Sequence, residues 1–152
     1  ALQIAWCVQN LDSLRPIHVG NTAPTFALPT IEAGGAPGAR RGLAPGKITV
    51  LDFWATWCKP CLAAMPKLDK LARDNPDIDV IAVNLDDTTA ARALFDRAGY
   101  VITLLGDDDD VSTRYSVTAI PHTVVIDREG TVRKVFRGDT GNIAAAVESV
   151  RK

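Results

Sequence analysis

Cysteine, histidine and methionine are scarce in this chain of 152 residues, with three, two and one respectively. Three cysteines are too few for a disulfide framework, and their number is odd. Excess charge is missing too, since 17 Lys and Arg face 18 Asp and Glu for a net charge of −1. With no run of basic residues, neither a nucleic acid nor an anionic membrane surface is expected as the main partner. No apolar stretch approaches the ~20 residues that a membrane-spanning helix needs. Internal repeats are absent as well. What remains is ordinary globular composition, 47% apolar and 23% charged, in a length that supports one core without metal or disulfide staples.

The chain does not start with Met, and residues 1–20 lack the basic head, apolar middle and small-residue cleavage site of a signal peptide, so the native N-terminus is expected further upstream. Ile4, Cys7, Val8, Leu11 and Leu14 recur at helical spacing, which predicts a short amphipathic helix in an N-terminal extension over residues 1–18. Gly34 to Gly46 holds five glycines, two prolines and two arginines and reads as a loop.

From Lys47 onward the pattern sharpens. Ile48, Val50, Leu51, Phe53 and Trp54 form a buried strand with one acid, Asp52, inside it. Leu62, Met65, Leu68 and Leu71 then predict a helix that Asn75-Pro76 ends, and Val80 to Leu85 a second strand. Oxygens from Asp86 to Thr89 cap a helix with Ala91, Leu94, Phe95 and Ala98 inside and Gly99 at its close. Tyr100 to Leu105 reads as a strand and Asp107 to Asp110 as the start of a helical turn carrying Val111 and Tyr115. A hairpin from Thr123 to Phe136 turns at Asp127 to Gly130, and a last helix buries Ile143, Val147 and Val150. The expected class is α/β, a central mixed sheet with helices on both faces.

Two of the cysteines, Cys58 and Cys61, lie three residues apart where the strand turns into the helix. At that position the first sulfur meets the unpaired N–H groups and positive dipole end of the helix, which favour thiolate over thiol. Cys61, one turn deeper on the same side, is within reach of a disulfide and is expected to be the more shielded. Lys59 adds positive charge, and Pro60 suits the first helical turn. The pattern predicts thiol–disulfide exchange, with Cys58 as nucleophile and Cys61 as the resolving thiol. Resolution needs a base. Asp52, six residues before Cys58 in an apolar strand, is placed beneath the pair, where burial raises its pKa. The blander readings are a solvated Asp52 at a strand edge, two inert buried cysteines, or zinc, for which only Cys7, His18, His122 and carboxylates remain as further ligands.

The segment Asp52-Phe53-Trp54-Ala55-Thr56-Trp57-Cys58-Lys59-Pro60-Cys61 resembles the active-site segment of thioredoxins. Pro66 matches the proline that kinks their active-site helix, and Ile120-Pro121 the pair that carries their cis-proline. Val19-Gly20, Ala23-Pro24 and Phe26, the added strand–helix between Val80 and Gly99, and Pro121 to Ile126 followed by Asp127 and Gly130 make the chain most similar to thiol-disulfide oxidoreductases of the TlpA/ResA type. The resemblance covers about residues 19–150 and implies a thioredoxin-like domain over 19–152. It also implies a periplasmic or other extracytoplasmic setting, with a membrane anchor upstream as the only link to the bilayer. The activity implied is reduction of disulfides in other proteins, such as apocytochrome c or copper-handling proteins, by a monomer that an upstream thiol reductant recharges and that needs no cofactor beyond the Cys58–Cys61 pair. Trp57, Ile120 and Pro121 would contact an extended substrate strand.

The chain departs from the family in several places. Many members of this subgroup have Asn where Asp52 stands. The lysine that neighbours the buried aspartate in thioredoxins has no match, since Ala82 and Val83 occupy that stretch. His122 replaces the usual Thr after the cis-proline, which places a titratable ring near the sulfurs. As imidazolium it would further stabilise the Cys58 thiolate; its alternative is a half-exposed ring with no redox effect. Cys7 lies outside the matched region and reads as a spare or buried thiol.

Two other functions compete. A thiol peroxidase of peroxiredoxin type shares the Gly20 to Leu28 opening, but places Pro and Thr where this chain has Leu51 and Ala55. A copper chaperone without enzymatic activity could use the two soft thiolates. Asp107 to Asp110 lacks the alternating ligands of a calcium loop and reads as a capped helix start.

Overall fold

A computed structural model describes residues 16–152. The helix expected from Ile4 to Leu14, and Cys7 with it, lies outside the described residues.

Seven strands form one sheet in the order β2-β1-β5-β4-β3-β6-β7. In chain order these are β1 (Leu28–Ile31), β2 (Pro37–Arg41), β3 (Thr49–Trp54), β4 (Asp79–Asn84), β5 (Thr103–Gly106), β6 (His122–Ile126) and β7 (Val132–Arg137). β3, β4 and β5 run parallel, and the pairs outside them, β3–β6, β6–β7, β1–β5 and β1–β2, are antiparallel. The helices are α1 (Lys59–Asp74), α2 (Thr88–Ala98), the single turn α3 (Val111–Arg114) and α4 (Ile143–Arg151). This is the thioredoxin-like fold, and the strand and helix expected between Val80 and Gly99 are β4 and α2.

Period-2 alternation divides the sheet into two packed faces. Val50, Trp54, Ala82 and Val125 point to one face, where Met65 and Leu68 of α1, Ala91 and Phe95 of α2, and Val147 of α4 cover them. Leu51, Phe53, Ile81, Val83 and Val124 point to the other. Helices lie on both faces as expected, but unequally. That second face is closed by α3 with Tyr115 and by the chain from Ile17 to Phe26, which crosses it without a helix. Ile17 is buried and its amide bonds to Ser116, so the packed domain begins before residue 19.

The glycine-rich stretch is the other correction. Gly34 to Gly46 is not all loop, because β2 folds back on β1 and pairs Leu28 with Arg41 and Ile31 with Pro37. Here the glycines serve close approach, since a Cβ on Gly42 would overlap the Phe26 carbonyl oxygen. α2 starts and stops as its sequence predicts. The Asp87 carboxylate accepts the Ala90 amide at 3.0 Å, and Gly99 takes the left-handed conformation at φ 70°.

Candidate active site

Cys58 is the N-cap of α1, with Lys59 and Pro60 as the first two helical residues. Its Sγ accepts the backbone amide of Cys61 at 3.3 Å, and the two sulfurs form a disulfide with Cα atoms 5.3 Å apart. A sulfur in this place answers one of the unpaired N–H groups of the first turn, and the same group would stabilise a thiolate after reduction. The expected contrast in shielding is small: Cys58 is 4% exposed and Cys61 fully buried. Trp57, by contrast, is 71% exposed, and Lys59 and Pro60 are also on the surface.

The turn that carries Trp57 and Cys58 is tied down from β4. The Asp86 carboxylate accepts the Thr56 amide at 3.0 Å, the Thr56 hydroxyl at 2.5 Å and the Asn84 side-chain amide at 2.8 Å. These donors hold the Asp86 pKa below the usual carboxylate range against the opposing effect of burial, the largest single influence. Sequence reasoning gave Asp86 only a capping role. Its real partner lies 30 residues away, and only the parallel pairing of β3 with β4 brings them together.

Asp52 lies in β3, 1% exposed, on the face that carries Cys58, Cys61 and α1. Burial pushes its pKa up to about 7, and a hydrogen bond from the Thr123 hydroxyl to Oδ1, at 2.9 Å, opposes the rise. Oδ2 has no protein partner. A carboxyl with that proton affinity can give up or take a proton near neutral pH. Thr123 escaped the sequence reading, although it stands two residues beyond Pro121 and in register with Asp52 across β3 and β6.

His122 is not where the sequence placed it. It pairs with Phe53 in register and packs edge-on against that ring at 5.9 Å, so its side chain occupies the face opposite Asp52. Strand alternation forces this: when Thr123 points toward the cysteine face, His122 points away from it. The ring is 1% exposed, and burial, with a smaller push from Arg137, lowers its pKa to about 4. At neutral pH it is an uncharged, buried imidazole, neither an imidazolium beside the sulfurs nor the alternative half-exposed ring.

The Ile120–Pro121 bond is cis. Beside it a shallow groove of about 520 Å³ is lined by Pro60 and Ala63 of α1, by Ile120 and Pro121, and by Lys67 and Asp139 as its charged members. The groove borders the first turn of α1, so an extended chain lying in it would pass the disulfide.

The model of the redoxin family matches residues 18–150, nearly all of the described chain. The chain belongs to the redoxin family. Within it, the protein is similar to the thioredoxin-like protein YneN of Bacillus subtilis, at 33% identity over 80% of this chain and 73% of that one. It is also similar to the thiol-disulfide oxidoreductase ResA of Geobacillus thermodenitrificans, at 34% identity over 80% of this chain and 71% of the relative. Among solved structures, a secreted disulfide oxidoreductase of Mycobacterium tuberculosis, homologous to DsbE of E. coli, superposes with a TM-score of 0.71 at 26% identity. That match covers 82% of this chain and 95% of the other. With Cys58–Cys61 at the head of α1, this redoxin is a thiol-disulfide oxidoreductase of the ResA/DsbE type.

Proposed function

We propose that this redoxin reduces disulfides in extracytoplasmic proteins, with Cys58 as nucleophile, Cys61 as resolving thiol and Asp52 as the base. The Cys58 thiolate attacks one sulfur of a substrate disulfide, the other substrate sulfur leaves as thiolate, and a mixed disulfide forms. Cys61 then gives its proton to Asp52 and attacks Cys58 Sγ. The substrate's second sulfur leaves as thiolate, and the Cys58–Cys61 disulfide closes. Two electrons have passed to the substrate, and an upstream thiol reductant restores the dithiol by the reverse sequence.

The observation that carries this reading is the buried Asp52, with a pKa of about 7, on the face of the sheet that holds the cysteines. Lys59 and Pro60 flank the sulfurs and would tune the reduction potential. Trp57, Ile120 and Pro121 would seat an extended substrate segment along the groove, with Ile120 offering backbone hydrogen bonds. An extracytoplasmic location accords with the secreted relative, and the same reading includes a monomer and a membrane anchor upstream of this chain. Segments of apocytochrome c or of copper-handling proteins that hold a disulfide in extended chain are the substrates of choice. No helix among the described residues is long and apolar enough to cross a membrane. The peroxidase and copper-chaperone alternatives gain nothing from the geometry, since buried Leu51 and Ala55 stand where a peroxidase needs Pro and Thr.

Reduced protein incubated with insulin or a disulfide-bonded apocytochrome peptide tests the proposal. Turnover is expected, together with its loss in Cys58→Ser and a trapped covalent adduct in Cys61→Ser. Undiminished turnover in Cys58→Ser overturns it.

A further inference from the structure

Thr123 is fully buried, and its hydroxyl makes the one side-chain hydrogen bond among the described residues that reaches the Asp52 carboxyl. Packing alone does not call for that hydroxyl. Val125, on the same face of β6, shows that a β-branched apolar side chain suits this surface, and Val would fill the volume of Thr. Among the described residues no charged group shares the task. From β3 the neighbours of Asp52 on this face are Val50 and Trp54, from β4 Ala82, from β6 Thr123 and Val125, and from α1 Cys61, Met65 and Leu68. Asp69 of α1 is committed to Arg73 and the Val101 amide, and His122 faces the other way. From β7, Phe136 lies opposite Thr123, and Lys134, opposite Val125, is exposed with its ammonium over the Phe136 ring. Among the described residues, the cysteines are therefore the other buried titratable side chains on this face.

We propose that Thr123 is a positioning residue for the resolving step, holding Oδ1 of Asp52 so that the unpartnered Oδ2 remains the proton acceptor for Cys61. The inference rests on Asp52 being the base. A hydroxyl that donates to the ionised carboxylate favours that form, and it works against the burial that would otherwise keep the acid protonated through the neutral range. Thr123 also lies two residues beyond Pro121, so the strand leaving the groove is the strand that sets the proton affinity of the base.

The test compares Thr123→Val, Thr123→Ser and Asp52→Asn by two readouts. One is the NMR titration of the Asp52 carboxyl carbon in the oxidised protein. The other is the pH profile of resolution of a mixed disulfide formed on Cys58. In Thr123→Val the carboxyl midpoint is expected to rise by about one pH unit, and resolution at pH 7 to slow about five-fold, with recovery at higher pH. Thr123→Ser keeps the hydroxyl and restores both. An unmoved carboxyl midpoint in Thr123→Val overturns the inference whatever Asp52→Asn does. A midpoint that moves, with a resolution profile that neither follows it nor responds to Asp52→Asn, refutes Asp52 as base and with it the resolving role of Thr123, leaving only its hold on the carboxyl. Near-UV circular dichroism checks folding, and Thr123→Ala replaces the Val variant if that chain fails to fold.

Discussion

Thr56 gives both its amide and its hydroxyl to Asp86, so the turn that presents Trp57 and Cys58 hangs from the end of β4. Asp86→Ala leaves both donors to water. Because Asp86 is exposed, the loss of stability is about 1 kcal/mol, at the low end for hydrogen bonds to charged acceptors. The effect on exchange should exceed that on stability, since the freed turn carries Cys58, the proposed nucleophile. Denaturant melts and insulin reduction measure the two, and Asp86→Asn, which keeps one acceptor oxygen, should fall between.

In its proposed role as base, Asp52 trades stability for reactivity. Its pKa rises from the ordinary 3.8 to about 7 on folding, so the native state holds a proton that the unfolded chain gives up between those values. The resulting cost is absent below about pH 4, grows up to pH 7 and stays constant above it. Asp52→Asn removes the cost and is expected to stabilise the fold by up to about 4 kcal/mol at pH 8, with little change at pH 4, while slowing exchange. Denaturant midpoints at the two pH values check this.

His122 has the opposite relation to acid. Its folded pKa is depressed to about 4 from 6.5, so as pH falls through 6.5 the unfolded chain binds a proton that the native protein refuses. Stability is lost progressively between those values, by about 3 kcal/mol near pH 4. Replacing the ring in His122→Phe should flatten this acid limb without altering the pH dependence of thiol exchange. A changed Cys58 thiol titration in that variant would contradict the placement of the ring on the far face.

Trp57, exposed beside the buried sulfurs, is expected to serve protein substrates and not small ones. In Trp57→Ala, kcat/KM for insulin should drop about ten-fold, in the range of an aromatic contact worth 1–2 kcal/mol, while reaction with oxidised glutathione stays near the parent rate. Stopped-flow assays with both disulfides separate the cases.

Local signals in the chain were enough for the central elements. Strand β3, helices α1 and α2, the β6–β7 hairpin and the Cys58–Cys61 unit follow from short-range periodicity, capping residues and a three-residue spacing. β2 was not legible, because Pro37 and Gly38 are poor strand formers and what holds this strand is pairing with β1, itself anchored through Thr30 to Leu105. Asp52 could be named as a buried acid from its apolar neighbours. The residues that govern it could not, since Thr123 is 71 positions away and only strand register sets it opposite. The same register, one residue earlier, carried His122 to the far face. Sequence by itself determined which chemistry this protein has, because a cysteine pair at a helix start is a local feature. Tertiary structure decided which groups tune it, because hydrogen-bond partners across a sheet depend on strand order and on which face each residue presents.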